Sequence, residues 1–147
     1  MKAIKGFFDD YEFLGNFYPA EVEMVGVKGP TVEHVYQALK STDPIEKLHI
    51  AGQETPLEAK KAGHNLKLRP HWEEIKVGIM EALVRQKFTR HKDLGHRLLE
   101  TGDAYLEETN EWGDKFWGVY RGEGKNHLGR ILMKIREELR ASASALE

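Results

Sequence analysis

Between Trp112 and Gly129 the chain sets bulky rings among glycines, a mixture that regular elements exclude. Trp112-Gly113-Asp114 leads into Phe116-Trp117-Gly118, then into Gly122-Glu123-Gly124-Lys125-Asn126-His127-Leu128-Gly129. Glycine costs chain entropy inside a helix or strand, where large aromatic side chains are ordinarily buried. The segment therefore reads as a long loop ending at a helix start. A loop rich in rings, with a carboxylate and backbone amides at hand, suits the wall of a ligand pocket. The same features also suit a hydrophobic plug that packs the loop down. Loops of this length are uncommon in compact domains unless they serve a function.

The 147 residues are enough for one domain with a single well-buried core. Hydrophobic content of 40% and charged content of 31% are those of an ordinary globule, with no apolar run long enough to span a bilayer. No basic-then-apolar signal segment opens the chain. The lack of cysteine excludes disulfides and thiolate metal sites, and fits a cytoplasmic location. A net charge of -2 argues against nonspecific nucleic-acid binding, which needs a dominant basic surface. It leaves room for a local basic pocket. Nothing divides the chain by repeat or linker. The expectation is one domain over residues 1–141 and a fraying tail at 142–147, in which Leu146-Glu147 reads as a scar of expression.

Residues 4–8 and 21–25 read as short strands, the second alternating charged and apolar side chains. Between them lies an aromatic loop, Phe13-Leu14-Gly15-Asn16-Phe17-Tyr18-Pro19. Thr31 caps a helix running to about Ser41, and Pro44 opens the next. Thr55-Pro56-Leu57-Glu58 joins a capping-box pattern to a proline at the first helical position. The longest helix is expected from about Pro70 through Phe88, with Trp72, Ile75, Ile79, Leu83 and Phe88 near helical spacing. Gly102 stops another helix through Leu98 and Leu99, and residues 104–109 read as a strand. Leu128, Ile131, Leu132, Ile135 and Leu139 give the last helix one apolar stripe. The fold class is α+β, mainly helical, with a small β-sheet.

The helix after Thr31 has two faces. Val32, Val35, Tyr36 and Leu39 make a core stripe, and Glu33, Gln37 and Lys40 line up beside it. That row reads either as a solvated face or, bordered by Tyr36, as part of a pocket. Seven histidines do not make a metal site: His91 and His96 do not share a helix face at i, i+4, and the others are scattered. No metal is assigned. The serines and threonines lack a nucleophile elbow. Gly122 and Gly124 fit neither a Walker loop nor a dinucleotide fingerprint, yet they can present backbone amides to a phosphate where the last helix begins.

Taken together, these segments resemble the NADAR family, and within it the YbiA-like branch. The likeness runs from Phe13 to about Arg140 in the family's order. Leu14-Gly15-Asn16-Phe17-Tyr18-Pro19 matches its opening element, and Glu33-His34-Val35-Tyr36-Gln37-Ala38-Leu39-Lys40 its glutamate helix, the most diagnostic piece. Pro56, Ala59, Lys60 and Gly63 fit the next segment, and Trp72, Met80, Ala82-Leu83 and Lys87-Phe88 the one after. Leu98-Leu99, Thr101-Gly102, Trp117-Gly118, Gly122, Gly124, Asn126, Leu128-Gly129, Leu132-Met133 and Arg136 complete it. Gly15 and Val32 stand where serine, or serine and threonine, are common, and Val119-Tyr120-Arg121 replaces a more glycine-rich run.

The resemblance implies an N-glycosidase acting on a ribosylated amine. The substrate class it implies is a phosphorylated ribosylamino-pyrimidine of riboflavin biosynthesis, with ribose 5-phosphate released. Two alternatives go with it: removal of ADP-ribose from guanine bases, and a silent module that binds ADP-ribose or a related nucleotide. The family's essential glutamate, tryptophan and aspartate fall on Glu33, Trp72 and Asp114. Two carboxylates can serve both ends of a breaking glycosidic bond. Trp72 and Trp117 are expected to stack on the base or exclude water, with Asn16, Phe17, Tyr36, Gln37 and Gly118 also against substrate. Lys40, Lys87 and Lys125 are the expected phosphate contacts, with amides near Asn126. The chemistry needs no metal or organic cofactor.

Overall fold

The computed structural model describes residues 2–145. In chain order the elements are β1 (Ala3–Lys5), a 3-10 helix (Asp9–Leu14), β2 (Val22–Met24), β3 (Val27–Gly29), α1 (Val32–Ala38), α2 (Pro44–Ala51) and α3 (Pro56–Ala62). There follow α4 (Trp72–Arg90), α5 (Lys92–Glu100), β4 (Tyr105–Glu107), β5 (Thr109–Asn110), β6 (Val119–Tyr120) and α6 (His127–Ala145). The fold is α+β with helix in excess, as expected. The small sheet is divided into three two-stranded ladders: β1 parallel to β4, β2 antiparallel to β3, and β5 parallel to β6. Among the described residues no helix is long and apolar enough to cross a membrane. Contacts gather the chain into two compact units, Asn16–Lys87 and Met1–Gly15 with Phe88–Glu147.

In the Asn16–Lys87 unit, β2 and β3 form a hairpin with Val22 opposite Gly29 and Met24 opposite Val27. Its turn is Val25 (φ 52°) and Gly26 (φ 78°), the paired left-handed residues that match strand twist in a two-residue hairpin. The side chain of Gln86 completes the edge of β2 as a strand would. Its Oε1 accepts from the Glu23 amide at 2.6 Å, and its Nε2 donates to the Glu23 carbonyl at 2.8 Å. Thr31 caps α1 by accepting from the His34 amide at 3.1 Å. Asp43 and Thr55 cap α2 and α3 in the same way, each followed by proline. Helix α1 packs against α2, α3 and both strands of the hairpin, and every one of its residues is buried. Of the two readings of the Glu33 and Gln37 row, the solvated face is the one that fails.

In the other unit Ile4 pairs with Leu106 across β1 and β4, α6 lies on β4, and α5 lies on α6. The apolar stripe of α6 is buried at Leu128, Ile131, Leu132 and Ile135. Arg136 closes the end of α5: its Nη1 donates to the Thr101 hydroxyl and the Ala104 carbonyl, both at 2.9 Å. Helix α6 continues through Ala145, so Ser142–Ala145, expected to fray, is helical. Leu146 and Glu147 lie outside the described residues.

Candidate active site

Glu33 enters the fold one residue into α1, where its amide donates to the Asn16 carbonyl at 3.2 Å. Its side chain is buried, at 7% exposure, and Oε1 accepts from Gln37 Nε2 at 2.8 Å, one helical turn away. A carboxylate is costly to bury unless hydrogen bonds or charges answer it. Gln37 supplies one such bond, and its own Oε1 is buried with no hydrogen-bond partner. That oxygen lies against Gly63, where an added Cβ would sit 2.0 Å from it. Asn16, which the sequence set beside this helix, donates from Nδ2 to Met80 Sδ at 3.4 Å, while its Oδ1 is buried without a partner.

A ring wall stands beside this carboxylate. Tyr36 and Trp72 are buried, their ring centres 5.2 Å apart and tilted by 52°. Lys40 places Nζ 5.7 Å from the Tyr36 ring centre. Burial lowers the Lys40 pKa; Glu33 opposes that shift, Lys76 adds to it, Glu73 opposes and Lys60 adds. The structure thus brings Asn16, Glu33, Tyr36, Gln37, Lys40 and Trp72 together, with Lys60 and Lys76 near enough to act on Lys40 electrostatically. Neither of these two lysines stands at a helical spacing from Glu33, so no periodicity could have found them. Phe17 is 43% exposed. Lys87 is fully buried, its Nζ 5.8 Å from the Tyr18 ring centre, and burial lowers its pKa to about 7. It offers a phosphate no open surface and at neutral pH only a partial charge.

Two further residues hold α1 in place. Arg69 donates from Nε to the Leu39 carbonyl at 2.9 Å and from Nη2 to the Ser41 carbonyl at 3.1 Å, fixing the exit of the helix. His34 faces the Gln53 carbonyl with Nε2 at 2.8 Å, so that nitrogen carries a proton. In the neutral ring, Nδ1 then accepts from the Thr31 hydroxyl at 2.8 Å.

The second group of expected residues gathers in the other unit. Asp114 Oδ1 accepts from the amides of Phe116 at 3.0 Å and Trp117 at 2.9 Å. Asn110 grips Asp114 in turn, accepting from its amide at 2.9 Å and donating to its carbonyl at 2.8 Å. Phe116 meets Trp117 edge-on at 4.8 Å and His127 at 4.5 Å. The loop is therefore packed down by its own rings. Gly118 is buried, and a Cβ there would sit 2.0 Å from the Glu108 carbonyl oxygen. Lys125 is exposed, with Nζ 5.8 Å from the Phe116 ring centre.

The start of α6 differs from the expectation. The amide of Lys125 donates to the Lys115 carbonyl at 2.8 Å, and that of Asn126 to Gly118 at 3.2 Å. His127 donates to Phe116 at 3.2 Å and Leu128 to Trp117 at 2.9 Å. These amides are spent inside the protein and are not open to a phosphate. Asn126 itself is a brace: Oδ1 accepts from the Glu108 amide at 3.0 Å, and Nδ2 donates to the Leu106 carbonyl at 2.9 Å.

The sequence signature of the NADAR domain matches residues 5–140. N-glycosidase Npun_R5314 of Nostoc punctiforme is 41% identical over 138 residues, covering 88% of this chain and 86% of that protein. N-glycosidase YbiA of Escherichia coli K12 is 37% identical over 134 residues, covering 89% and 83%. The riboflavin biosynthesis protein VVA0006 of Vibrio vulnificus is 40% identical over 92% of this chain, which spans only 37% of that longer protein. The NMR structure of Escherichia coli YbiA matches with a TM-score of 0.86 at 35% identity, covering 97% of this chain and 87% of that one.

Proposed function

The chain belongs to the NADAR family, and on that footing we propose that it is an N-glycosidase, a hydrolase of N-glycosyl compounds. Its substrates are phosphorylated ribosylamino-pyrimidine intermediates of riboflavin biosynthesis, and it releases ribose 5-phosphate. The names of its relatives support both the reaction class and the metabolic setting. The reading rests above all on Glu33, a buried carboxylate held by Gln37 Nε2 at 2.8 Å. A carboxylate kept in a low-dielectric setting is worth most where positive charge develops. Residues 1–141 act as one catalytic domain, an extent that the match over residues 5–140 supports. A cysteine-free chain acting on a biosynthetic intermediate fits the cytoplasm.

Hydrolysis breaks the bond between the anomeric carbon and nitrogen, leaving the electron pair on nitrogen and positive charge on the sugar. Glu33 stabilises that charge and orients the water whose oxygen forms the new bond. Water yields one proton and the departing amine takes one, so the balance closes. Asp114 is proposed as a catalytic carboxylate on the family resemblance, with its place relative to Glu33 left to the substitutions that test it. Its Oδ1 is tied to two amides, which leaves Oδ2 as the oxygen able to handle a proton. The Trp72 and Tyr36 rings exclude water from the sugar and offer a flat face to the base.

The test is to incubate the protein with pyrimidine ribosylamine phosphates, ADP-ribosylated guanine and NAD, and to assay the sugar released. Ribose 5-phosphate from the first substrate is the expected product. ADP-ribose released from guanine, with the pyrimidines untouched, would replace this reading with the other hydrolase.

A further inference from the structure

A folded surface scatters its large apolar side chains, and a cluster of them marks a place of association. Among the described residues the three most exposed, Val25 and Ile45 at 78% and Leu48 at 75%, lie on the turn before β3 and on helix α2. Helix α2 packs against β3, and between them is a hollow of about 250 Å3. Val25, Val27, Leu48 and Ala51 line it together with Lys28 and Lys47, and no lining residue is acidic. Val25 holds a φ of 52°, a left-handed conformation rare for a β-branched residue; asparagine or glycine would make the turn without strain. Strain of this kind persists where another use outweighs it. The hollow also borders an open strand edge. Glu23 stands opposite Lys28 in the hairpin, and the Gln86 side chain takes both backbone groups of Glu23 on the far edge. The pair is thus one whose amides and carbonyls point away from each other, so Lys28 N–H and C=O face outward from β3. Among the described residues nothing closes that edge as Gln86 closes the other.

We infer that the β3 edge and the α2 hollow form a docking site for an extended segment of a partner protein, one with an apolar anchor and a carboxylate beside it. The inference is independent of the glycosidase reading. The segment adds as a strand about 4.8 Å from β3 and bonds to the Lys28 N–H and C=O, while the hollow reads a side chain. A space of about 150 Å3 already takes a benzene ring, so 250 Å3 takes a leucine or phenylalanine side chain. Charge complementarity sets the chemistry of the neighbour. Lys28 is answered by Glu21 at 3.6 Å, whereas Lys47 makes no ion pair and is the cation left for an incoming carboxylate. Other occupants fit less well. Small-molecule sites are ordinarily larger, about 300–1,000 Å3. A second copy seated on the same patch would set lysines against lysines. Docking on an anionic membrane takes a cluster of about 4–8 basic residues, and here Lys28 and Lys47 stand with Glu21 beside them.

The experiment is selection of binders to the full chain from a displayed library of random heptapeptides, followed by affinity measurement and amide hydrogen exchange with the selected peptides. They should carry an apolar residue with Asp or Glu two positions away, on the same face of a strand. Leu48 is exposed, so Leu48→Glu leaves the core intact, and it should weaken binding at least about tenfold by removing one apolar contact. Lys47→Glu should weaken acidic peptides about tenfold and favour the same peptides with lysine in place of the acids. The Lys28 amide should exchange freely in the chain alone and become protected in the complex, while the Val27 amide, inside the hairpin, is protected in both. A library that yields no binder sensitive to Leu48→Glu, or binding that leaves the Lys28 amide unprotected, would overturn the docking site. Sedimentation showing a dimer that Leu48→Glu dissolves would replace the partner with a second copy. Pelleting with phosphatidylserine vesicles that depends on Leu48, without peptide binding, would replace it with a membrane.

Discussion

Gln37 donates to Glu33 Oε1 at 2.8 Å while its own carbonyl oxygen lies against the bare Cα of Gly63. The first contact serves the site and the second works against stability. A buried acceptor left without a donor costs about 1–3 kcal/mol, and Gln37 Oε1 has none. A leucine would fill the same space without that cost and would let Glu33 go.

Gly63→Ala should therefore damage activity through a residue that does no chemistry. The glycine has an ordinary helical conformation (φ -81°), so its role is space. The new methyl would sit 2.0 Å from Gln37 Oε1 and 2.9 Å from Cδ, so the amide must move and release Glu33. We expect about 1–3 kcal/mol of destabilisation, typical of overpacking, together with a fall in kcat that exceeds any change in KM. Urea unfolding and steady-state kinetics on one preparation check both.

Glu33→Gln should keep the fold and lose about 10²–10⁴-fold in turnover, the usual cost of removing an acid–base or charge-stabilising group. The amide can still accept from Gln37 Nε2, so melting should barely change. Near-normal turnover in this variant would return Glu33 to a structural role.

Asp114 carries two duties that two substitutions can separate. Asp114→Asn keeps Oδ1 and with it the bonds to the Phe116 and Trp117 amides; Asp114→Ala drops both. The alanine variant should lose about 1–3 kcal/mol, and the asparagine variant little. If the second carboxylate handles a proton, the asparagine variant loses turnover all the same. Single-turnover rates set beside denaturation midpoints decide it, and full activity in Asp114→Asn would leave only the loop anchor.

Lys87 makes stability depend on pH in a direction that can be fixed in advance. Its folded pKa, about 7, lies below the ordinary 10.5, so between those values the folded chain binds fewer protons than the unfolded one. Stability from this residue therefore rises with pH across that window and is flat below it, where the buried ammonium is at its most costly. Lys87→Met should be relatively more stable at pH 6 than at pH 10 when each is compared with the parent. Denaturation curves that stay parallel over that range would contradict the buried charge.

Much of the helical frame was legible because its signals are local. Thr31, Pro44 and Thr55-Pro56 mark helix starts through a cap or a fixed φ, and the α6 stripe needs only its own period. Strand β3 was not legible. Its turn uses Val25, a β-branched residue at φ 52°, in place of the asparagine or glycine that signals such a hairpin. Glu33 was legible as a member of a polar row, but its burial was not, since that depends on α2, α3 and the hairpin closing over α1. Lys60 and Lys76 enter the site only through the way α3 and α4 meet α1. The amides at the start of α6 looked open because sequence shows which residues flank a helix, not where distant carbonyls point.

Those carbonyls have a consequence for motion. Lys115, Phe116, Trp117 and Gly118 are fastened one by one to amides of Lys125 through Leu128, while Asp114 fastens the same stretch from its other end. The aromatic segment and the first turn of α6 thus form a clasp rather than a swinging lid. To displace Trp117 is to strip the Leu128 amide of its acceptor. The exchange rate of that one hydrogen with solvent becomes a clock for the opening of the backbone segment that carries the ring.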